Sequence, residues 1–353
     1  MIANVRSSAC ADTRRETLSA MMAQEALEVY HVCDYLQSYD ESEEEDENDD
    51  GRGNQLNATC RTSICEWMYR VVDHFGVDRE VVSIAMSYVD RVLSICLCPD
   101  RRTFKLISSA SLHLAIKIHS PWQWKEISPL LPDLSRGDFD SKRIAAMENE
   151  ITQWLKWYLN QSTPQCMAMY ILSLLKDIPE EVLQSVTDMT LFLLEVAVCD
   201  YDFATVRNSV IAIAAVLNAT EKIGFDLCDF ESDAFSYRND FKHQIKGILS
   251  SVDYKVNRNE IPSAKNRLWS LYRHSTECSM HQSMLLTPPP IAPKRSIVEK
   301  VSSSPTSVVD SKRLRIRSDF AFREISIVPS LEFSVSSDSQ DLPNPLMGDA
   351  HSL

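Results

Sequence analysis

Between residues 59 and 75 (TCRTSICEWMYRVVDHF) the apolar side chains fall at Ile64, Trp67, Met68, Val71, Val72 and Phe75. Steps of three and four residues place all of them on one face of an α-helix. Thr59 is a suitable N-cap and Gly76 a stop. Asp78 caps a second helix running to about Ser94, with the stripe Val82, Ala85, Met86, Val89 and Leu93. Thr103 opens a third through Leu106, Ile107, Ala110, Leu114 and Ile118. Ser108, Ser109, Ser111 and Ala115 make that helix small or apolar on most sides, as expected of a central element. Pro121, Pro129 and Pro132 limit 121–138 to short pieces. Asp140 then caps a long helix through Leu159, with the stripe Ile144, Met147, Ile151, Trp154, Leu155 and Tyr158.

The pattern then repeats in form. Helices are expected at about 163–176, 180–200, 203–223, 234–250 and 260–274, and the third (VRNSVIAIAAVLNA) is again built of small and apolar residues. The fold class expected is all-α, with two tandem five-helix units at 56–160 and 161–275 and a disordered tail at each end. Residues 1–55 read as a disordered, acidic region holding one short amphipathic helix at 23–37, striped by Leu27, Tyr30 and Leu36. Within it, DESEEEDENDD at 40–50 is too densely charged to fold. Residues 276–353 lose periodicity and become rich in Ser and Pro.

Composition narrows the function. Of the net charge of −14, about −10 lies in residues 1–55, so the helical middle is nearly neutral and gives little drive toward nucleic acid. Gly is scarce, at 7 in 353 residues, which disfavours phosphate-binding glycine loops. The 10 cysteines are scattered with no CxxC pair, which reads as reduced thiols and no metal site. No apolar run is long enough for a membrane span, and the first 20 residues do not read as a secretory signal.

No nucleotide-binding, hydrolase or metalloprotease motif is present, so neither catalytic residues nor cofactors are expected. His74, His113 and His119 read as ordinary helix residues. Charge in apolar company stands out instead: Lys117 after SSASLHLAI, Glu148 in IAAMENEI, and Arg61 and Asp90 beside apolar stripes. Charged groups are rarely buried unless paired.

These positions carry a family resemblance. CRTSICEWM (60–68) is similar to the opening MRxxLxDWL of the cyclins. MSYVDRVLS (86–94) resembles their Asp-Arg tract, FKLISSASLHLAIK (104–117) their Ala-x-Lys helix, and AAMENEI (145–151) their Met-Glu motif. The resemblance implies an N-terminal cyclin box at 56–160 and a cyclin-like fold at 161–275. It implies a regulatory subunit, not an enzyme, that binds and activates a cyclin-dependent kinase in nucleus and cytoplasm, at G1 or G1/S. Lys117 and Glu148 would bind the kinase, and Arg61 and Asp90 would form a buried structural ion pair. A substrate-docking patch would map to Cys60, Ile64, Trp67 and Lys105, where substrate or inhibitor proteins bind; Ser63 and Lys105 make it less apolar than is usual. Thr287-Pro288 and Ser304-Pro305 are candidate phosphosites, and KRLRIR at 312–317 a candidate import signal. The alternatives are a helical transcription factor, which would need a basic surface, and a scaffold with no kinase partner.

Overall fold

A computed structural model describes residues 10–36, 56–96, 100–130, 134–135, 137–228, 234–252 and 259–285. The acidic run at 40–50, Thr287, Ser304 and the 312–317 cluster lie outside the described residues. The elements up to Glu277 form one compact unit; among the residues that follow, only the end of the last helix is described.

The described elements are helical. In chain order they are α1 (Ala11–Glu25), α2 (Ala58–His74), α3 (Glu80–Ile95), α4 (Arg101–His119), α5 (Pro121–Ile127), α6 (Ser141–Trp154), α7 (Pro164–Ser173), α8 (Glu180–Cys199), α9 (Asn208–Cys228), α10 (Ala234–Ser251) and α11 (Glu260–Leu285). Side-chain caps fix several starts. Asn57, Asp100, Asp140 and Thr163 each accept a backbone N–H three residues on. The caps at Asn57 and Asp100 place two starts slightly earlier than Thr59 and Thr103 suggested. Pro121 and Pro164 sit at first-turn positions, where a missing N–H costs nothing.

Two hydrophobic cores result. In the first, α4 is the axis, buried from Phe104 to Ile116 almost without interruption and packed by α2, α3 and α6. Its serines and alanines let those neighbours approach closely, and Val82, Met86, Val89, Ile144 and Ile151 fill the space around them. In the second, α9 has the same role, with Ala212, Ala214, Ala215 and Ala219 fully buried against α7 and α8. Each Leu, Ile or Val sequestered this way contributes roughly 1.5–3 kcal/mol.

The N-terminal region departs from expectation. The helix is Ala11–Glu25, not 23–37, and it covers residues expected to be disordered. Leu18 and Met22 enter the second core, and the Arg14 guanidinium donates to the Ser173 carbonyl at 2.7 Å. Its apolar stripe is too short to register as amphipathic; the groove it fills makes the helix. Residues 31–36 are not helical because the body supplies their partners. Cys33 N–H donates to Ser94 Oγ, Leu36 N–H to the Tyr201 hydroxyl, and the Val29 carbonyl accepts from Arg91.

Two other corrections have local causes. Helix α6 ends at Trp154, not Leu159, because Lys156 and Trp157 turn left-handed at φ 49° and 64°. That turn presents the carbonyls of Tyr158 and Leu159 to Arg91 and Tyr88 on α3. Helix α8, against the expectation that no segment qualifies, has the length and mean hydropathy (1.6) of a membrane-crossing helix. Leu183, Val186, Leu193, Leu194 and Ala197 account for much of that apolarity, and all are buried in the second core.

Candidate functional site

The four charged residues singled out from the sequence form two separate pairs. Arg61 on α2 and Asp90 on α3 meet through two parallel bonds, Nε to Oδ1 at 2.9 Å and Nη2 to Oδ2 at 2.7 Å. Their side chains are 4% and 6% exposed. The Tyr35 hydroxyl donates to Asp90 Oδ1 at 2.8 Å, and Arg61 Nη1 reaches the Val198 carbonyl at 2.8 Å. Burial works against the Arg61 cation, but the Asp90 charge outweighs it and raises its pKa. Burial, then the Asp90 charge, raises the Tyr35 hydroxyl. The cluster thus joins the N-terminal segment, α2, α3 and the end of α8.

Further contacts join α8 to the first core. Thr62 Oγ1 donates to the Cys199 carbonyl at 3.1 Å, and the Cys65 and Cys199 sulfurs lie 3.2 Å apart. At the other end of the contact, Arg79 Nε is 3.0 Å from Glu195. Burial dominates there: with Arg79 opposing and Asp73 assisting, the Glu195 carboxyl is pushed up to about 7.

Lys117 and Glu148 form the second pair. Lys117 Nζ donates to Glu148 Oε2 at 3.2 Å. Helix α4 was expected to bury Lys117, yet its side chain is 48% exposed while that of Glu148 is 9% exposed. Lys117 therefore stands at the rim, with the carboxylate set back beneath it. His113, one turn before Lys117 on α4, bonds through Nδ1 to Glu148 Oε1. Trp124 on α5 donates its indole N–H to His113 Nε2 at 2.7 Å. The Trp124 ring also lies 5.6 Å from Lys117 Nζ, within cation–π range. Burial works to raise the Glu148 carboxyl, but the His113 hydrogen bond and the charge of Lys117 leave it below its ordinary value. Charge-assisted bonds of this kind are directional, so the carboxylate is held in one orientation.

His113, taken as an ordinary helix residue from sequence, is 6% exposed and central to this site. The signal was its i, i+4 spacing from Lys117, which puts both on one helix face. Trp124 carried no comparable signal, because only folding brings α5 beneath α4. Large apolar side chains stand exposed on the same elements: Ile118 next to Lys117, Trp122 at the start of α5 and Trp157 just beyond α6, the last two more than 70% exposed.

The positions assigned to substrate docking are arranged differently. Cys60, Ile64 and Trp67 are half-buried on α2 against the first core, Ser63 is exposed, and Lys105 on α4 lies 3.9 Å from Asp138. A cleft of about 410 Å³, lined by Glu25, Ser87, Gln161, Arg207, Asn208 and Glu260 among others, includes none of Lys117, Glu148, His113 or Trp124. Among the described residues no cluster suited to a metal ion is found.

Residues 31–160 match the family model of the cyclin N-terminal domain. Over 225 residues the chain is 25% identical to Cyclin-D4-2 of Arabidopsis thaliana, covering 62% of this chain and 75% of that one. It is 35% identical to Cyclin-D3-2 of the same plant over 113 residues, covering 30% of this chain and 29% of the relative. It is 27% identical to G2/mitotic-specific cyclin-1 of Antirrhinum majus over 194 residues, covering 54% and 39%. Thus the chain spans well under two thirds of the latter two relatives. A viral cyclin from Herpesvirus saimiri aligns with a TM-score of 0.40 and 19% identity, over 56% of this chain and 88% of that structure. The matched residues 31–160 contain the Arg61–Asp90 and Lys117–Glu148 pairs alike, and this part of the chain belongs to the cyclin N-terminal domain family.

Proposed function

We propose that this chain is a kinase regulatory subunit, which binds a cyclin-dependent serine/threonine kinase and drives it into its active conformation. The observation that carries the reading is the Lys117–Glu148 pair: a half-exposed ammonium over a carboxylate that His113 and Lys117 hold still. A protruding donor beside a recessed acceptor suits backbone N–H and C=O groups at the end of a partner's helix. The exposed Ile118, Trp122 and Trp157 would supply apolar area around that polar centre. A rigid surface that binds one conformation of a mobile kinase helix better than another shifts its population toward that conformation. Phosphoryl transfer then belongs to the kinase, whose own Lys–Glu pair must be in place.

Matches to D-type relatives support action at G1 or G1/S, and matches to G2/mitotic relatives make the phase a point for experiment. The basic cluster at 312–317 supports a nuclear pool beside a cytoplasmic one. In the same reading, the α2 face around Cys60, Ile64 and Trp67 serves substrate or inhibitor docking, and Thr287 and Ser304 are phosphorylated. Calorimetric titration of recombinant cyclin-dependent kinase catalytic subunits into the wild-type chain and into Lys117→Glu tests the assignment. Saturable binding to at least one kinase, lost in the variant, supports it. Binding to none, or equal binding by both, sinks it.

A further inference from the structure

We infer that His113 and Trp124 form a positioning unit that presets the Lys117–Glu148 pair, an inference that rests on the kinase-binding reading of that pair. Indole N–H is a donor only, so the nitrogen that accepts from Trp124, His113 Nε2, carries no proton. The single imidazole proton is therefore on Nδ1, which faces Glu148 Oε1 and donates to it. Trp124 and Glu148 thus call for the same tautomer, the one in which His113 donates to the carboxylate. With the other tautomer, a bare Nδ1 lone pair would face the carboxylate oxygen and push it away.

The same indole ring lies under Lys117, so one side chain steadies both members of the pair. Because Oε1 is held by His113, Glu148 meets Lys117 and a partner through Oε2 and the lone pairs left free. His113 is 6% exposed and is placed to act through Glu148 rather than on the partner. A preset pair loses less freedom on binding, and a residue that presets it improves affinity without touching the partner.

Two measurements test this. The first needs no kinase: imidazole nitrogen shifts of His113 are read by NMR in isotope-labelled wild type and in Trp124→Phe. Protonated Nδ1 and bare Nε2 are expected in wild type, with the Nε2 shift altered in Trp124→Phe, where the bond it accepts from the indole is lost. A proton on Nε2 in wild type overturns the inference, whatever the binding data show.

The second measurement titrates recombinant cyclin-dependent kinase subunits into Trp124→Phe, His113→Asn, His113→Gln and Lys117→Glu. The amide nitrogen of Asn falls near the position of Nδ1, whereas that of Gln falls nearer Nε2. The expected result is about a tenfold loss of affinity in Trp124→Phe and His113→Gln and a smaller loss in His113→Asn, the scale set by one charge-assisted bond. A purely packing role for His113 would not rank Asn above Gln. If these variants bind like wild type while Lys117→Glu does not, the positioning role fails and the kinase reading stands. If wild type binds no kinase, the kinase reading fails and this inference falls with it.

Discussion

Arg61 and Asp90 lie 29 positions apart, yet the cluster around their buried, two-bonded contact fixes four parts of the fold at once. Asp90 also holds Tyr35, and Arg61 also holds the end of α8 through Val198. Removing one partner leaves an uncompensated charge among apolar neighbours. Asp90→Ala is expected to lower unfolding free energy by about 3–5 kcal/mol in denaturant titration. The double variant Arg61→Met, Asp90→Leu should recover a large part of that loss, since neither charge then remains. A double variant as unstable as the single one would contradict this account of the pair.

Helix α1 offers a second test. Leu18 is fully buried against the second core, although nothing in its sequence neighbourhood marks it as a core residue. Leu18→Ala should cost about 2–5 kcal/mol, the range for a cavity in a well-packed site. If α1 were loosely attached, the substitution would leave the unfolding midpoint unchanged.

What the sequence made legible follows from where the determinants sit. Helices α2 to α4 and α6 to α9 carry their own stripes, and α2, α4, α6 and α7 side-chain caps as well, so periodicity located them to within a few residues, apart from the last turn of α6 and the displaced bounds of α9. The acidic Asp140 cap and the small-residue character of α4 and α9 are local signals. Residues 31–36 are different: Leu27, Tyr30 and Leu36 imitate a helical stripe, but beyond the 3-10 turn at Glu28–Tyr30 long-range partners on α3 and Tyr201 draw the backbone out. The end of α6 is set in the same way by Tyr88 and Arg91, which take the Leu159 and Tyr158 carbonyls. Within the candidate site, family motifs pointed to Lys117 and Glu148, His113 carried only its one-turn spacing from Lys117, and Trp124 gains its role from the packing of α5 against α4.

Glu195 predicts a pH dependence. Its carboxyl is pushed up to about 7 in the fold, from an ordinary value of 4.5, chiefly by burial. The folded chain thus holds this proton more tightly than the unfolded chain. Its contribution to stability is fully present below about pH 4.5 and is lost as pH rises to about 7. The expected size is on the order of 2 kcal/mol, reduced by the residue's partial exposure. Comparing melting temperatures of wild type and Glu195→Gln from pH 4.5 to 8 isolates this term. The variant should gain relative to wild type as pH rises; a constant difference would show that Glu195 does not titrate in this range.

Trp157 combines exposure with a backbone that L-residues adopt reluctantly, at φ 64°. Trp157→Gly removes that conformational cost but gives the unfolded chain more freedom, so the two effects nearly cancel. Unfolding free energy should change by no more than about 1 kcal/mol. Kinase affinity, in contrast, should fall at least tenfold if the ring contributes apolar contact to the partner. Unchanged affinity would remove Trp157 from the proposed surface.

The central claim is that Lys117 and Glu148 seat a kinase, and one measurement addresses it most directly. The wild-type chain and the Lys117→Glu, Glu148→Lys double reversal are each purified from cell extract, and the recovered complexes are assayed for serine/threonine kinase activity. Kinase activity with the wild type and none with the folded double reversal is the result predicted. Equal activity with both, or none with either, would contradict it and favour a helical scaffold that works without a kinase.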